Sequence, residues 1–220
     1  MEGMVHVNSI KLQVFTEIFP AMICFAKNSP RIAVWRRRTI ALGVFMIAIP
    51  AAAEVNDQLD FRYYNVEAAR GKSLADSVRE ASPINENGHV FFGHTGREIH
   101  WRLHWNNTAG GGCKITEVHV TLHTTIILPQ LSNADSRQDE FTRFQVALRI
   151  HEMGHYRLEQ EEAAAIEAAI WSLGEMRNCR EVENAANDTG HQLMEEYKKK
   201  QVQYDAATEH GKTQGANLRK

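Results

Sequence analysis

The hydrophobic period of this chain changes once, near residue 136, and that change limits what it can fold into. Before it, Ile99, Trp101, Leu103 and Trp105 alternate with polar residues, and Val118, Val120, Leu122, Thr124, Ile126 and Leu128 share one parity up to Pro129. A period of two marks strands with one buried face. Asn106 to Gly112 between them is a flexible turn, so these segments predict a β-hairpin with a long loop. Beyond residue 136, Phe141, Phe144, Leu148, His151, His155 and Leu158 recur at i, i+3 and i+4, the period of a helix with one buried stripe. The expected class is α+β, with a small antiparallel or mixed sheet followed by one long helix and then a second.

The remaining elements follow from local signals. Leu59 to Val66 alternate and are rich in aromatic and β-branched residues, as a strand should be. Ser73 to Arg79 reads as a short helix capped by Ser73, and Pro83 with Asn85-Glu86-Asn87-Gly88 marks a turn. Ser136-Arg137-Gln138-Asp139 resembles a capping box opening the first long helix, which runs on to about Leu173 before Gly174. The second long helix is expected from about Cys179 to Glu209, with Gly211 supplying a left-handed residue past its end.

Inside the first long helix stands His151-Glu152-Met153-Gly154-His155. Imidazoles four residues apart lie roughly 40° apart around a helix, so both can reach one metal ion, zinc being the usual one. Glu152 is turned about 100° aside, where it can hold a water rather than the metal. Both histidines continue the buried stripe, where each imidazole needs a partner that a metal would provide. Gly154 in a helix interior costs about 1 kcal/mol relative to Ala, which close approach of another segment would explain. The alternative is a pair of core or surface histidines with no metal.

A catalytic zinc has three protein ligands and an open position. Glu159 lies about 12 Å of helical rise from His151, too far to share its ion. His191, Asp205 and His210 remain, and His210, beside Gly211 at a helix end, is the expected third ligand. Asp205 would serve as a carboxylate ligand or orient an imidazole, and His191 reads as structural. His100, His104, His119 and His123 all fall on the polar parity of the hairpin, where a wet sheet surface accounts for them and a second metal patch is the alternative.

Arg36-Arg37-Arg38, an apolar run of eleven residues from Thr39 to Ile49, and Pro50-Ala51-Ala52-Ala53 form a secretory signal, about residues 31–53. The run falls short of the roughly 20 residues of a membrane span. Cleavage after Ala53 is expected, with an uncleaved anchor as the alternative and residues 1–33 best explained by an upstream start. Residues 54–220 then form one domain, in the periplasm or secreted, with no stable membrane insertion. Without the leader's six basic and two acidic residues the net charge is −6, which argues against nucleic acid as a partner. Lys198-Lys199-Lys200 reads as the wet face of a helix. Cys113 and Cys179 are the only cysteines beyond Cys24, so export predicts one disulfide between them rather than two thiols.

Taken together, the signal, the Trp101 and Trp105 strand, Cys113, the HExGH helix and Tyr204-Asp205-Ala206-Ala207-Thr208-Glu209-His210-Gly211, followed by Gln214-Gly215-Ala216, resemble a bacterial family. It is a domain-of-unknown-function family described as secreted zinc-dependent proteases, and the resemblance covers about residues 59–218. It implies a zincin-like metallopeptidase with His151, His155 and His210 on Zn²⁺ and a peptide or protein as substrate. The chemistry expected is hydrolysis by a zinc-activated water with Glu152 as general base, and Tyr204 as a donor to the developing oxyanion. An exposed hairpin edge would bind an extended peptide by strand addition. The competing expectation is a non-catalytic envelope or binding protein stapled by zinc, its four-ligand site completed by Asp205 or Glu159.

Overall fold

A computed structural model describes residues 54–219, apart from Asn87 and Ala134. Residues 1–53, where a leader with a secretory signal is expected, lie outside the described residues. In chain order the elements are β1 (Glu54–Val66), α1 (Leu74–Ala81), β2 (Asn85–Glu86), β3 (His89–Val90), β4 (His94–Asn107), β5 (Cys113–Leu131), α2 (Gln138–Trp171), α3 (Cys179–Thr208) and the 3-10 turn η1 (Lys212–Gln214). The class is α+β, a small mixed sheet with three helices. Among the described residues no helix is long and apolar enough to cross a membrane.

The hairpin expected around residues 99–128 is present and longer: β4 and β5 pair antiparallel from His94↔Ile127 to Asn107↔Cys113. β1 joins the other side of β5 in parallel, Glu54↔His119 through Val66↔Leu131, so the sheet order is β1-β5-β4. Pro129 does not end β5 as its sequence position suggests. Beyond Ile127 only β1 pairs with β5, so on that side the missing N–H breaks no ladder bond.

One face of the sheet carries Ile99, Trp101, Leu103, Val118, Val120, Leu122, Ile126 and Leu128, all buried. Helix α2 lies on this face and buries Phe141, Phe144, Leu148, Tyr156, Ile166 and Ile170. Helix α3 packs on α2, and its Gly190 admits the Trp101 ring, whose atoms lie 2.7 Å from where a Cβ would be. The Trp101 indole N–H donates to Asn187 Oδ1 at 2.9 Å, satisfying the polar end of a buried ring. Helix α3 thus packs on α2 and also reaches the sheet directly at Trp101.

Two capping expectations part ways. Ser73 caps α1 as its sequence suggests, accepting from the Asp76 N–H. At α2 the capping box does not form: the helix starts one residue later, with Arg137 as the cap residue, and a guanidinium has no acceptor to offer the helix N–H groups; it donates instead to Asp135 and the Lys72 carbonyl. Asp139 and Glu140 still occupy the first turn, where the helix dipole favours acidic groups.

Cys113 and Cys179 form a disulfide, with Cα atoms 5.0 Å apart. Beside it the Cys113 N–H donates to the Met176 carbonyl at 2.8 Å and the Met176 N–H returns the bond at 2.9 Å. The α2–α3 connection is therefore clamped to the start of β5 by one covalent and two hydrogen bonds. Changing both cysteines to Ser is expected to lower unfolding stability by about 4 kcal/mol, the chain-entropy value for a loop of this length. Denaturant titration under oxidising conditions measures it, and an unchanged midpoint would show that the bridge does not hold α3.

Candidate metal centre

Helix α2 sends its polar residues in two directions. Glu152 and Glu159, seven residues apart and so on one stripe, face the β4–β5 hairpin, and His151 with His155 face α3 and the chain after it. The reason is simple: at 3.6 residues per turn, a helix packed on two sides buries more than one stripe.

His151 and His155 meet Asp205 of α3. The His151 and His155 Nε2 atoms are 3.2 Å apart, and Asp205 Oδ1 lies 3.2 Å from the first and 3.0 Å from the second. The outer nitrogens show what these three atoms are. Gln201 Nε2 donates to the His155 carbonyl at 3.2 Å, which turns its Oε1 to accept the His155 Nδ1–H at 2.5 Å. The Tyr204 hydroxyl donates to the His151 carbonyl at 3.2 Å and accepts from Gln214 Nε2 at 3.1 Å. Gln214 Oε1 is thereby aimed at His151 Nδ1, 3.1 Å away, with Thr208 Oγ1 at 3.3 Å.

Both imidazoles therefore carry their proton outward, on Nδ1. Their Nε2 lone pairs and a carboxylate oxygen converge on one point, an arrangement that repels itself unless a cation sits among the three. Ligands about 2.0–2.1 Å from a tetrahedral zinc stand roughly 3.3 Å apart, close to the distances seen here. The donor set fits a zinc ion.

Without a metal the same field acts on protons. Burial lowers the His155 pKa, but hydrogen bonds to Asp205 and Gln201 outweigh it and leave the value raised. Burial raises the Asp205 carboxyl, yet the contacts with His151 and His155 hold it well below the usual carboxylate range.

His210, the expected third ligand, stands one step further out. Its Nδ1 is 3.3 Å from Asp205 Oδ1, its ring packs on Phe91 at 5.3 Å, and its side chain is half-exposed. Glu209, His210 and Gly211 all have positive φ, of 49°, 52° and 82°, so the left-handed turn expected at Gly211 begins two residues earlier. Two non-glycine residues in this region are strained, and the strain is what brings His210 back over Asp205. His191 lies about 21 Å of helical rise from Asp205 and packs on Trp101, so it takes no part in the centre. Glu159 is hydrogen-bonded by Thr124 of β5 and is not in the cluster.

Glu152 is buried on the other side of His151. Thr95 Oγ1 lies 2.7 Å from Glu152 Oε2, donating to it, and 3.2 Å from the Glu152 carbonyl. A Cβ on Gly93 would fall against the Glu152 carboxylate, so glycine is needed where the chain enters β4. Burial raises the Glu152 pKa, opposed by the Thr95 hydroxyl and by His155 and His151.

Tyr204 stacks its ring on His151 at 5.2 Å, and its hydroxyl donates to the His151 carbonyl. The Gly154 expectation is met by the same residue, since a Cβ there would collide with the Tyr204 hydroxyl. Gln201, Thr95 and Gly93 escape a motif-based reading, and Thr208 and Gln214 enter it only as part of the tail motif, with no role assigned. Gln201, Asp205 and Thr208 do recur at helical spacing on one face of α3, a signal the sequence carried.

A cleft of about 1040 Å³ opens over the centre, lined by His151, Glu152, His155, Asp205 and His210. Gly93 to Thr95 and Arg97 form one wall, and Lys198, Gln201 and Val202 of α3 another. β4 is an edge of the sheet, so its outer backbone groups pair with no other described strand. Beneath the cleft Arg97 donates to Glu162 at 2.8 Å, and burial pushes Glu159 up to about 7.

The raised Glu159 value has a consequence for metal-free protein. Between about pH 4.5 and 7 the unfolded chain releases this proton first, so the group's contribution falls as pH rises. Glu159→Gln, which keeps an acceptor for Thr124, is therefore expected to gain up to about 3 kcal/mol on wild type between pH 5 and pH 8. Denaturant titration in a chelator at the two pH values measures this gain. An equal difference at both would mean Glu159 ionises normally.

Residues 61–211 match the family described as "Bacterial protein of unknown function (DUF922)". No curated protein and no solved structure matches the chain.

Proposed function

The chain belongs to the DUF922 family of bacterial proteins, and on that premise we propose that it is a zincin-like, zinc-dependent metallopeptidase. The observation that carries the reading is the convergence of His151 Nε2, His155 Nε2 and Asp205 Oδ1, with both imidazole protons directed outward to glutamines. In this assignment Asp205 replaces His210 as the third ligand. The disulfide suits an oxidising compartment, in keeping with a periplasmic or secreted enzyme.

When bound, zinc supplies a Lewis acid that polarises a carbonyl and lowers the pKa of water from about 16 to about 7. The chain's own residues do the rest. Glu152, held by Thr95, removes the proton of the attacking water as the new C–O bond forms. It then passes that proton to the amine nitrogen as the C–N bond breaks. Gln201 and Gln214 keep both imidazole Nε2 atoms facing the ion, and Tyr204 fixes the His151 carbonyl and ring. The free edge of β4, running beside Glu152, offers backbone groups to an extended peptide.

One observation favours a second reading. His210 lies 3.3 Å from Asp205 Oδ1 and would close the coordination sphere if it turned inward, leaving a zinc that only staples α2 to α3. The two readings separate by mutation. Glu152→Gln should keep the cleft zinc and lower hydrolysis of a peptide library by at least about 100-fold; undiminished activity removes Glu152 as the base. His210→Ala should cost less than about tenfold in zinc affinity if the fourth position is open. A loss well above about 100-fold, measured against a chelator, would make His210 a ligand and favour the staple.

A further inference from the structure

The sheet face turned away from α2 carries a cluster that the cleft does not use. His104 of β4 stands directly opposite Glu117 of β5, and His119 follows two residues on, on the same face. Each of the three offers a donor atom within 4.8 Å of the other two. His119 Nε2 lies 3.3 Å from Glu117 Oε2, and the His104 and His119 rings stand at 90° with centroids 6.1 Å apart. We propose that His104, Glu117 and His119 form a second site, open to solvent, for a divalent transition-metal ion.

Three features support the site. Opposed and diagonal positions on neighbouring antiparallel strands are close enough for side chains to share an ion. The pairing shifts register between His104 and Trp105, and such a bulge re-aims the side chains beside it. Two imidazoles and one carboxylate select zinc, copper or nickel over calcium or magnesium, which prefer oxygen donors. The neighbouring His123 is set apart from the cluster, since Asp60 at 3.4 Å and Glu98 at 3.8 Å hold its two ring nitrogens.

The site differs from the cleft in its physics. His119 and Glu117 side chains are 49% and 60% exposed, so their rotamers are not locked and binding must order them. The ion is accordingly held more weakly than one in the cleft and exchanges with solution. It neither needs the metallopeptidase reading nor bears on it.

Zinc titration of the purified protein against a chromophoric chelator tests the proposal. Wild type should bind two ions, and His104→Ala or His119→Ala should each abolish the weaker while leaving the tighter. Glu117→Gln should weaken the same ion at least tenfold, and excess Mg²⁺ should not displace it. His151→Ala should abolish the other ion alone, so a failure of the cleft reading shows in a different variant. All three outer-face substitutions are at surface positions and should leave the circular-dichroism spectrum unchanged. Should one misfold, Cu²⁺ broadening of the His104 and His119 ring resonances in the wild type gives the same answer. A stoichiometry untouched by both histidine variants, or broadening spread evenly over all surface histidines, overturns the site.

Discussion

The metal centre depends on how closely α3 approaches α2. Gly154 has no side chain, and the space it leaves admits Tyr204, whose hydroxyl bonds the His151 carbonyl while its ring lies flat on the His151 imidazole. That contact sets the distance at which Gln201 and Asp205, lying on the same face of α3, reach His155. A wider gap would leave the two HExxH histidines with their Nδ1 protons unpaired and their rings free to turn. The roughly 1 kcal/mol that glycine costs a helix interior is offset by the ordering of two ligands.

The second requirement is that α2 carry charge through a core. Glu152, Glu159, Glu162 and Glu167 are all buried on this one helix. Each of the first three is met by a different neighbour: Glu152 by Thr95, Glu159 by Thr124 and Glu162 by Arg97. All three partners come from β4 or β5, so the hairpin that forms the hydrophobic face also satisfies the helix's carboxylates. Burial without such partners would cost several kcal/mol per group. The sheet is therefore both the floor of the core and the wall that keeps Glu152 beside the cleft.

The two histidine clusters share donor types and differ in how those donors are held. In the cleft each imidazole has its outer nitrogen bonded and its ring packed, so its lone pair is aimed before any ion arrives. On the outer face the strand register brings His104, Glu117 and His119 together, but exposed rotamers must still be ordered. The strained turn at Glu209 and His210 brings a half-exposed imidazole beside Asp205, where its ring also packs on Phe91.

Period and spacing alone settled a good deal: the α+β class, the long hairpin, the two long helices, and the shared face of His151 and His155. These are local properties, carried by side-chain alternation and helical turn. The Cys113–Cys179 bridge was legible for another reason, because only two cysteines remain beyond the leader. The parallel pairing of β1 with β5 was not legible, because strand order depends on contacts some 65 residues apart. Nor was the failure of the Ser136 capping box, since the cap position falls one residue on, at Arg137, whose guanidinium is held by Asp135 and the distant Lys72 carbonyl. A place beside Gly211 at a helix end suggested His210 as the partner of the pair, whereas in the structure Asp205 meets both imidazoles, four residues after Gln201 and one helical turn before Glu209. Sequence named the helix that would carry the histidines; only the packing of α3 against it decided which carboxylate meets them.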